Sequence, residues 1–310
     1  SAEEINKFLS GCGGLSSDGR PMLRLEAYQM VKVLKEINPL NFVVPAHIWT
    51  PHFSLFGANS GFDSIEECFG DYTKDIFALE TGLSSDPAMN RRLSALDNYA
   101  LVSNSDAHSP AKIGREANVF DLPELNYREI MNAVKTRDKT KFLYTVEFFP
   151  EEGKYHYDGH RKCGVCFAPE ETKKNNKICP KCKGQLTVGV MHRVCDLSDR
   201  DKDFRDDKAI PFKNLIPLVE IIAEAKGVGV NTKTVGNEYD ELIKKFGNEF
   251  NILLKSSADE LKEQIPAKIA RAILRVRNNE AKIHPGYDGE YGKIEIFSDL
   301  EEEEKQITFF

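Results

Sequence analysis

The chain has 310 residues, 41% of them hydrophobic and 29% charged, with 42 Lys and Arg against 49 Asp and Glu for a formal net charge of −7. That length and balance fit a soluble protein with room for about two domains. No apolar run approaches the roughly 18–20 residues that a membrane span needs, and the negative total argues against an indiscriminate nucleic-acid binder.

The opening SAEEINKFLSG is polar and amphipathic and does not read as a secretory signal. Next, RLEAYQMVKVLKEIN (24–38) has apolar residues at helical spacing, and NFVVPAH (41–47) reads as a short strand. DSIEECFGDY reads as a short helix and DIFALETG (75–82) as a strand. DPAMNRRLSALDN (86–98) starts with Asp-Pro, a good helix entry. YALVSNSDAH is a third strand, NYREIMNAVKTRD a helix and TKFLYTVEFF a fourth strand. The order is a βα series, which predicts a parallel sheet or barrel over 1–149. From 150 to 200 the chain is turn-rich and poor in apolar residues, as in a small separate module. From 201 to 297 it is mostly helical, ending in a predicted β-hairpin around Asp288-Gly289. Residues 298–310 form an acidic run closed by QITFF.

In βα folds the strand C-termini carry the chemistry. Here they place His47, Glu80, Asp106 and His108 on one predicted rim. Asp106 and His108, two apart, share a face of an extended chain, which suits two ligands of one divalent ion. The same residues also suit an Asp-capped turn with an incidental His. A metal at such a rim lowers the pKa of bound water and polarises a phosphoryl oxygen, the chemistry of phosphoester hydrolysis. Arg115 can clamp a phosphate or be a solvated helix residue. Trp49 and Phe53, on the Gly- and Ser-rich loop after His47, either stack unpaired bases or pack the loop on itself.

Seven cysteines without a secretory signal point to a reducing, cytoplasmic setting. Cys163-x2-Cys166-x12-Cys179-x2-Cys182 is the most specific pattern in the chain: two knuckles aiming four thiolates at one structural Zn²⁺. Seven Lys and Arg against two Glu between Arg161 and Lys183 make this stretch locally basic, suited to phosphates. The preceding KYHYDGHRKC offers His156, His160 and Arg161 to a nucleotide.

His47, ALETGLSSDP, SNSDAHSP and KIGREAN resemble the polymerase and histidinol phosphatase (PHP) domain, which gathers two or three divalent metals (Zn²⁺, Mg²⁺ or Mn²⁺) at the rim of a distorted βα barrel. SDGRP, PAHIWTPHFSLFG, GFDSIEECFGD, EFFPEEGKYHYDGHRKCGVC, LTVGVMHRV and PGYDGEYG tighten the match to the endonuclease Q family over most of 16–297. The resemblance implies an incomplete PHP-type βα barrel, a small four-cysteine zinc module and a mostly helical C-terminal domain. It implies an endonuclease cutting DNA 5′ to uracil, hypoxanthine, xanthine or an abasic site, with the damaged nucleotide swung into a pocket. The family opens with a His-x-His strand that this sequence does not contain, so about a third of the barrel domain and half the metal cluster are expected to be missing and the activity weak or absent. A phosphoesterase on a small phosphate, and a non-catalytic DNA- or clamp-binding module, are the competing readings. In the tail, Gln306 and Ile307 followed by Phe309 and Phe310 resemble peptides that dock on DNA sliding clamps.

Overall fold

The computed structural model describes residues 1–14, 23–59 and 61–297. In chain order the elements are α1 (Ala2–Cys12), α2 (Ala27–Ile37), α3 (Ile65–Phe69), β1 (Ala78–Glu80), α4 (Pro87–Asn90), β2 (Ala100–Val102), β3 (Ala117–Phe120), α5 (Tyr127–Thr136) and β4 (Phe142–Glu147). Then come β5 (Asp158–His160), β6 (Val165–Phe167), α6 (Pro169–Lys174), α7 (Val190–Leu197) and β7 (Phe212–Asn214). The chain ends with α8 (Leu218–Lys226), α9 (Lys233–Phe246), α10 (Ala258–Gln264), α11 (Ala267–Arg277), β8 (Lys282–His284) and β9 (Lys293–Glu295).

The α/β order holds, with shorter strands than the apolar runs suggest. β1 and β2 pair in parallel, Glu80 opposite Val102. The 41–47 segment contributes a single parallel bridge, Val43 to Ile76. Pro45 has no N–H for a ladder, and His47 turns into left-handed backbone at φ 32°. β3, too short at four residues to stand out in the sequence, pairs antiparallel with β4, and β7 pairs in parallel on the other side of β4. Side chains join β2 to this sheet: Asn118 accepts from the Ser103 N–H and donates to its carbonyl, at 3.0 and 2.7 Å, while the Ser103 hydroxyl donates to the Val146 carbonyl at 2.7 Å.

The helix predicted over 86–98 stops after Asn90. Arg91 turns inward and donates to the carbonyls of Leu96 and Tyr99, which fixes a tight turn where a longer helix was expected. α7, in the stretch expected to be turn-rich, packs Val190 and Val194 into the same core as Trp49, Phe56 and Leu79. α8, α9, α10 and α11 build the largest core with the ends of β4 and β7. Within it, burying a side chain such as Ile221, Ile269 or Ile273 contributes about 1.5–3 kcal/mol. Gly227, at φ 66°, ends α8 in the left-handed conformation that favours glycine. Asp288 and Gly289, at φ 45° and 88°, make the turn expected there, with the Glu290 N–H donating to the Tyr287 carbonyl at 2.8 Å.

Candidate active site

Three strand-end residues meet at one cavity. His47, Glu80 and Asp106 line a space of about 370 Å³ together with Thr50, His52 and Phe53. The parallel register of β1 and β2 sets Glu80 at this rim, where it is 8% exposed. Its Oε2 accepts the His47 N–H at 2.6 Å and its Oε1 accepts the Asn104 amide at 2.8 Å. Gly82, at φ 61°, is required here: a Cβ on it would lie 2.6 Å from the Cβ of His47. His47, Phe53 and Asp106 all have positive φ, at 32°, 56° and 43°. Such conformations are uncommon outside glycine and concentrate at functional sites.

His108 is exposed and does not line this cavity; its Nδ1 lies 2.8 Å from the carbonyl oxygen of Asp106, which leaves Nε2 as its other donor. A ring nitrogen held by a backbone carbonyl in this way fixes the tautomer of a metal-binding histidine. Arg115 donates through Nε to the Ser105 carbonyl at 3.0 Å and lines a different, mostly apolar cavity of about 460 Å³ with Tyr239 and Phe250. Among the described residues, no three of the rim donors bring their ligand atoms within 4.8 Å of one another. The rim therefore presents separate donors, and no step through a bound ion follows from their geometry.

The loop aromatics divide. Trp49, the sole tryptophan, is 1% exposed, donates to Asn90 Oδ1 at 2.8 Å and packs on Phe56 at 4.9 Å between ring centres. It belongs to the core and is not available to stack on a base. Phe53 is 67% exposed at the mouth of the cavity.

Two buried carboxylates escaped the sequence reading. Glu116 is 2% exposed, and burial, helped by the charges of Glu80 and Asp106, pushes its carboxyl up to about 8. Its Oε1 accepts the Phe148 N–H at 3.4 Å, and its Oε2 has no partner among the described residues. Glu147, fully buried and also raised by burial, accepts from the hydroxyls of Thr81 and Thr145. Glu147 signals itself only as a glutamate inside an apolar run, FLYTVEFF; Glu116, in KIGREAN, has no such signal.

The second cluster differs from the four-cysteine pattern. Ligand atoms of His160, Cys163, Cys179 and Cys182 all lie within 4.8 Å of one another, and Cys166 is not among them. β5 and β6 pair antiparallel with Val165 opposite His160 and Cys166 opposite Gly159. Side chains alternate along a strand, so Cys166 faces away from His160 and Val165, its thiol 3.9 Å from the Pro285 carbonyl. His160 fills the fourth corner, with Nδ1 3.3 Å from the Cys182 sulfur. Backbone N–H groups of Cys182 and Lys181 hold the Cys179 thiol below its ordinary range, at about 6. Three thiolates and one imidazole would supply all four ligands of a structural metal ion and leave no open position. His160 is thus drawn into this set and away from a nucleotide-binding role. His156 is buried, its imidazole depressed to about 4 by burial, and so is unavailable to DNA. The Arg161 N–H donates to Asp288 Oδ2 at 2.6 Å, tying the module to the C-terminal hairpin. Gln306, Ile307, Phe309 and Phe310 lie outside the described residues.

Residues 89–138 match the PHP-associated family, and residues 217–280 match the family described as the MJ0043 C-terminal domain. The first match spans β2, β3 and α5 and takes in Asp106 and His108. A lesion-specific endonuclease Q from Pyrococcus furiosus superposes with a TM-score of 0.85 at 30% identity, covering 96% of this chain and 73% of that one. Endonuclease Q in complex with a 27-mer duplex bearing an abasic lesion at its active site superposes at 0.81 and 30% identity, covering 96% and 74%. The chain belongs to the endonuclease Q family. It is also 38% identical over 253 residues to the uncharacterized protein MJ0043 of Methanocaldococcus jannaschii, covering 79% of this chain and 31% of that protein. It is 33% identical over 255 residues to the uncharacterized protein YqxK of Bacillus subtilis, covering 81% and 60%. The chain thus spans less than two thirds of the length of these curated relatives. No described helix is long and apolar enough to cross a membrane.

Proposed function

We propose that the chain acts in DNA repair as an endonuclease of the endonuclease Q type, hydrolysing a phosphodiester 5′ to a deaminated base or an abasic site. The observation that carries this reading is the convergence of His47, Glu80 and Asp106 on one cavity, in a fold that matches a lesion-specific endonuclease over 96% of its length. A divalent ion at such a rim supplies an activated water and polarises the phosphoryl group. The chain's own part is positional. Glu80 holds the His47 backbone, Asp106 and His108 offer donors, and Phe53 presents an exposed ring to a displaced base. We assign Zn²⁺ to the His160, Cys163, Cys179 and Cys182 set on the chemistry of its donors, as a structural ion. The surrounding lysines then face the duplex backbone, and work on genomic DNA sets the protein inside the cell. A sliding-clamp contact through Gln306, Ile307, Phe309 and Phe310 is proposed on sequence alone.

The separation of the rim donors favours a second reading, in which the chain binds damaged DNA without cutting it. Incubation with duplexes containing uracil, hypoxanthine or an abasic site, with Mg²⁺ or Mn²⁺, distinguishes the two. The nuclease reading expects a nick 5′ to the lesion that Asp106→Asn loses, by about 100-fold or more if Asp106 is a direct ligand. Lesion-selective binding without nicking supports the second reading. Neither nicking nor selective binding overturns both.

A further inference from the structure

A second charged cavity lies at the other end of the strands. Residues Arg91, Asp97, Arg137, Arg200, Asp206 and Lys208 line a space of about 470 Å³ just before the starts of β2, β4 and β7, whereas His47, Glu80 and Asp106 stand at the strand ends. It shares no lining residue with the rim cavity.

Its charges do not balance internally. Arg200 is satisfied, with its two terminal nitrogens 2.8 and 2.5 Å from the Asp97 carboxylate and its guanidinium 4.1 Å above the Phe204 ring. Subtracting that pair leaves Arg91, Arg137 and Lys208 against Asp206, an excess of two positive charges. Arg91 is only 5% exposed, and although its terminal nitrogens reach two carbonyls, its Nε has no partner among the described residues. Arg137 adopts left-handed backbone at φ 54° as the C-cap of α5 and donates to the Asp97 carbonyl oxygen. The Lys208 ammonium is exposed and makes no ion pair among the described residues. A buried cation with an unmet donor is costly unless an anion pairs with it. Guanidinium groups match the oxygens of a phosphate, and a phosphate monoester near neutral pH carries close to two negative charges. The volume is within the range of small-molecule sites.

We infer that this cavity is a phosphate-binding site, separate from the candidate nuclease rim, that takes the phosphate group of a small molecule or of a nucleic-acid backbone. Calorimetric titration of the full chain in phosphate-free, low-salt buffer with inorganic phosphate, pyrophosphate, thymidine 5′-monophosphate and a short lesion-free single strand tests it. The expected result is saturable binding at one site per chain that Lys208→Glu weakens by about tenfold or more while thermal unfolding without ligand is unchanged. Lys74→Glu, an equal charge change at an exposed position on the turn before β1, is expected to leave the affinity unchanged. Lys208-dependent binding of the small phosphates assigns the site to a free ligand, and Lys208-dependent binding of the strand alone assigns it to a DNA backbone. Absence of saturable binding by all four probes, or equal weakening by Lys208→Glu and Lys74→Glu, overturns the inference.

Discussion

The backbone N–H of His47 donates to Oε2 of Glu80 at 2.6 Å, across 33 residues of sequence. The Glu80 N–H in turn donates to the Pro45 carbonyl, and the Ile48 N–H to the Glu80 carbonyl, at 3.0 and 3.2 Å. Two strand ends are thus fastened on either side of the residue that presents an imidazole to the cavity. The left-handed backbone of His47 persists because its surroundings over-determine it.

Removing that fastening has a definite cost. Glu80→Ala leaves the half-buried His47 N–H without its acceptor, while the exposed Asn104 amide can turn to water, a loss of about 1 kcal/mol. Glu80→Gln keeps one acceptor oxygen and sets an NH₂ against the other donor, so it falls between wild type and alanine. Urea unfolding of the three proteins at neutral pH measures the series. If both variants match wild type, the contact does not hold the rim.

Glu116 makes stability depend on pH in a known direction. Its carboxyl stands at about 8 in the folded protein and near the ordinary 4.5 in the unfolded chain. Below the lower value both states are protonated. Between the two, the unfolded chain releases the proton while the folded chain keeps it, so stability falls as pH rises, by up to about 1.4 kcal/mol per unit, and levels off above the higher value. Glu116→Gln removes this slope, since the amide does not titrate. Unfolding curves in Mg²⁺-free buffer near pH 5 and near pH 8 are expected to show the variant gaining on wild type as pH rises. A difference that stays constant with pH refutes the assignment.

Much of this was legible because it depends on local patterns. The 3.6-residue spacing in IPLVEIIAEAKG gives α8, and the Asp-Gly pair gives the turn between β8 and β9. Strand-end position groups His47, Glu80, Asp106 and His108 on one rim, of which the first three line the cavity and His108 does not. What escaped depends on partners distant in sequence. Cys-x2-Cys spacing carries no information about which face of a strand the second cysteine occupies; the register with β5 decides that. Trp49 sits in a polar loop, yet an acceptor 41 residues away and the ring of Phe56 draw it inward. Arg91 reads as a surface helix residue, and two carbonyls that become available only when the helix stops account for its burial.

Phe53 is the aromatic left at the cavity mouth, and its substitution separates recognition from folding. At 67% exposure it adds little to the core, so Phe53→Ala is expected to shift the unfolding midpoint within the range of surface changes, about 0.5 kcal/mol. Loss of a ring stacked on a displaced base costs about 1–3 kcal/mol of binding. Fluorescence anisotropy with lesion-bearing and plain duplexes reads the difference. Trp49→Phe has the opposite signature: lower stability from the lost bond to Asn90, with lesion preference retained. Equal affinity of Phe53→Ala and wild type for the lesion duplex removes Phe53 from the recognition surface.

The metal cluster is settled by which cysteine can be spared. With His160, Cys163, Cys179 and Cys182 as the set, Cys166→Ser is expected to retain one equivalent of bound ion by elemental analysis. Cys163→Ser and His160→Ala are expected to lose it to a mild chelator. Chelation of wild type also lowers the unfolding temperature, since binding free energy at a structural site is folding free energy. That loss falls chiefly on the small core of Val165, Cys179 and Leu186, which has little other apolar burial to hold it. A Cys166→Ser protein stripped of its ion as readily as Cys163→Ser returns the cluster to four cysteines and requires β6 to be turned over relative to β5.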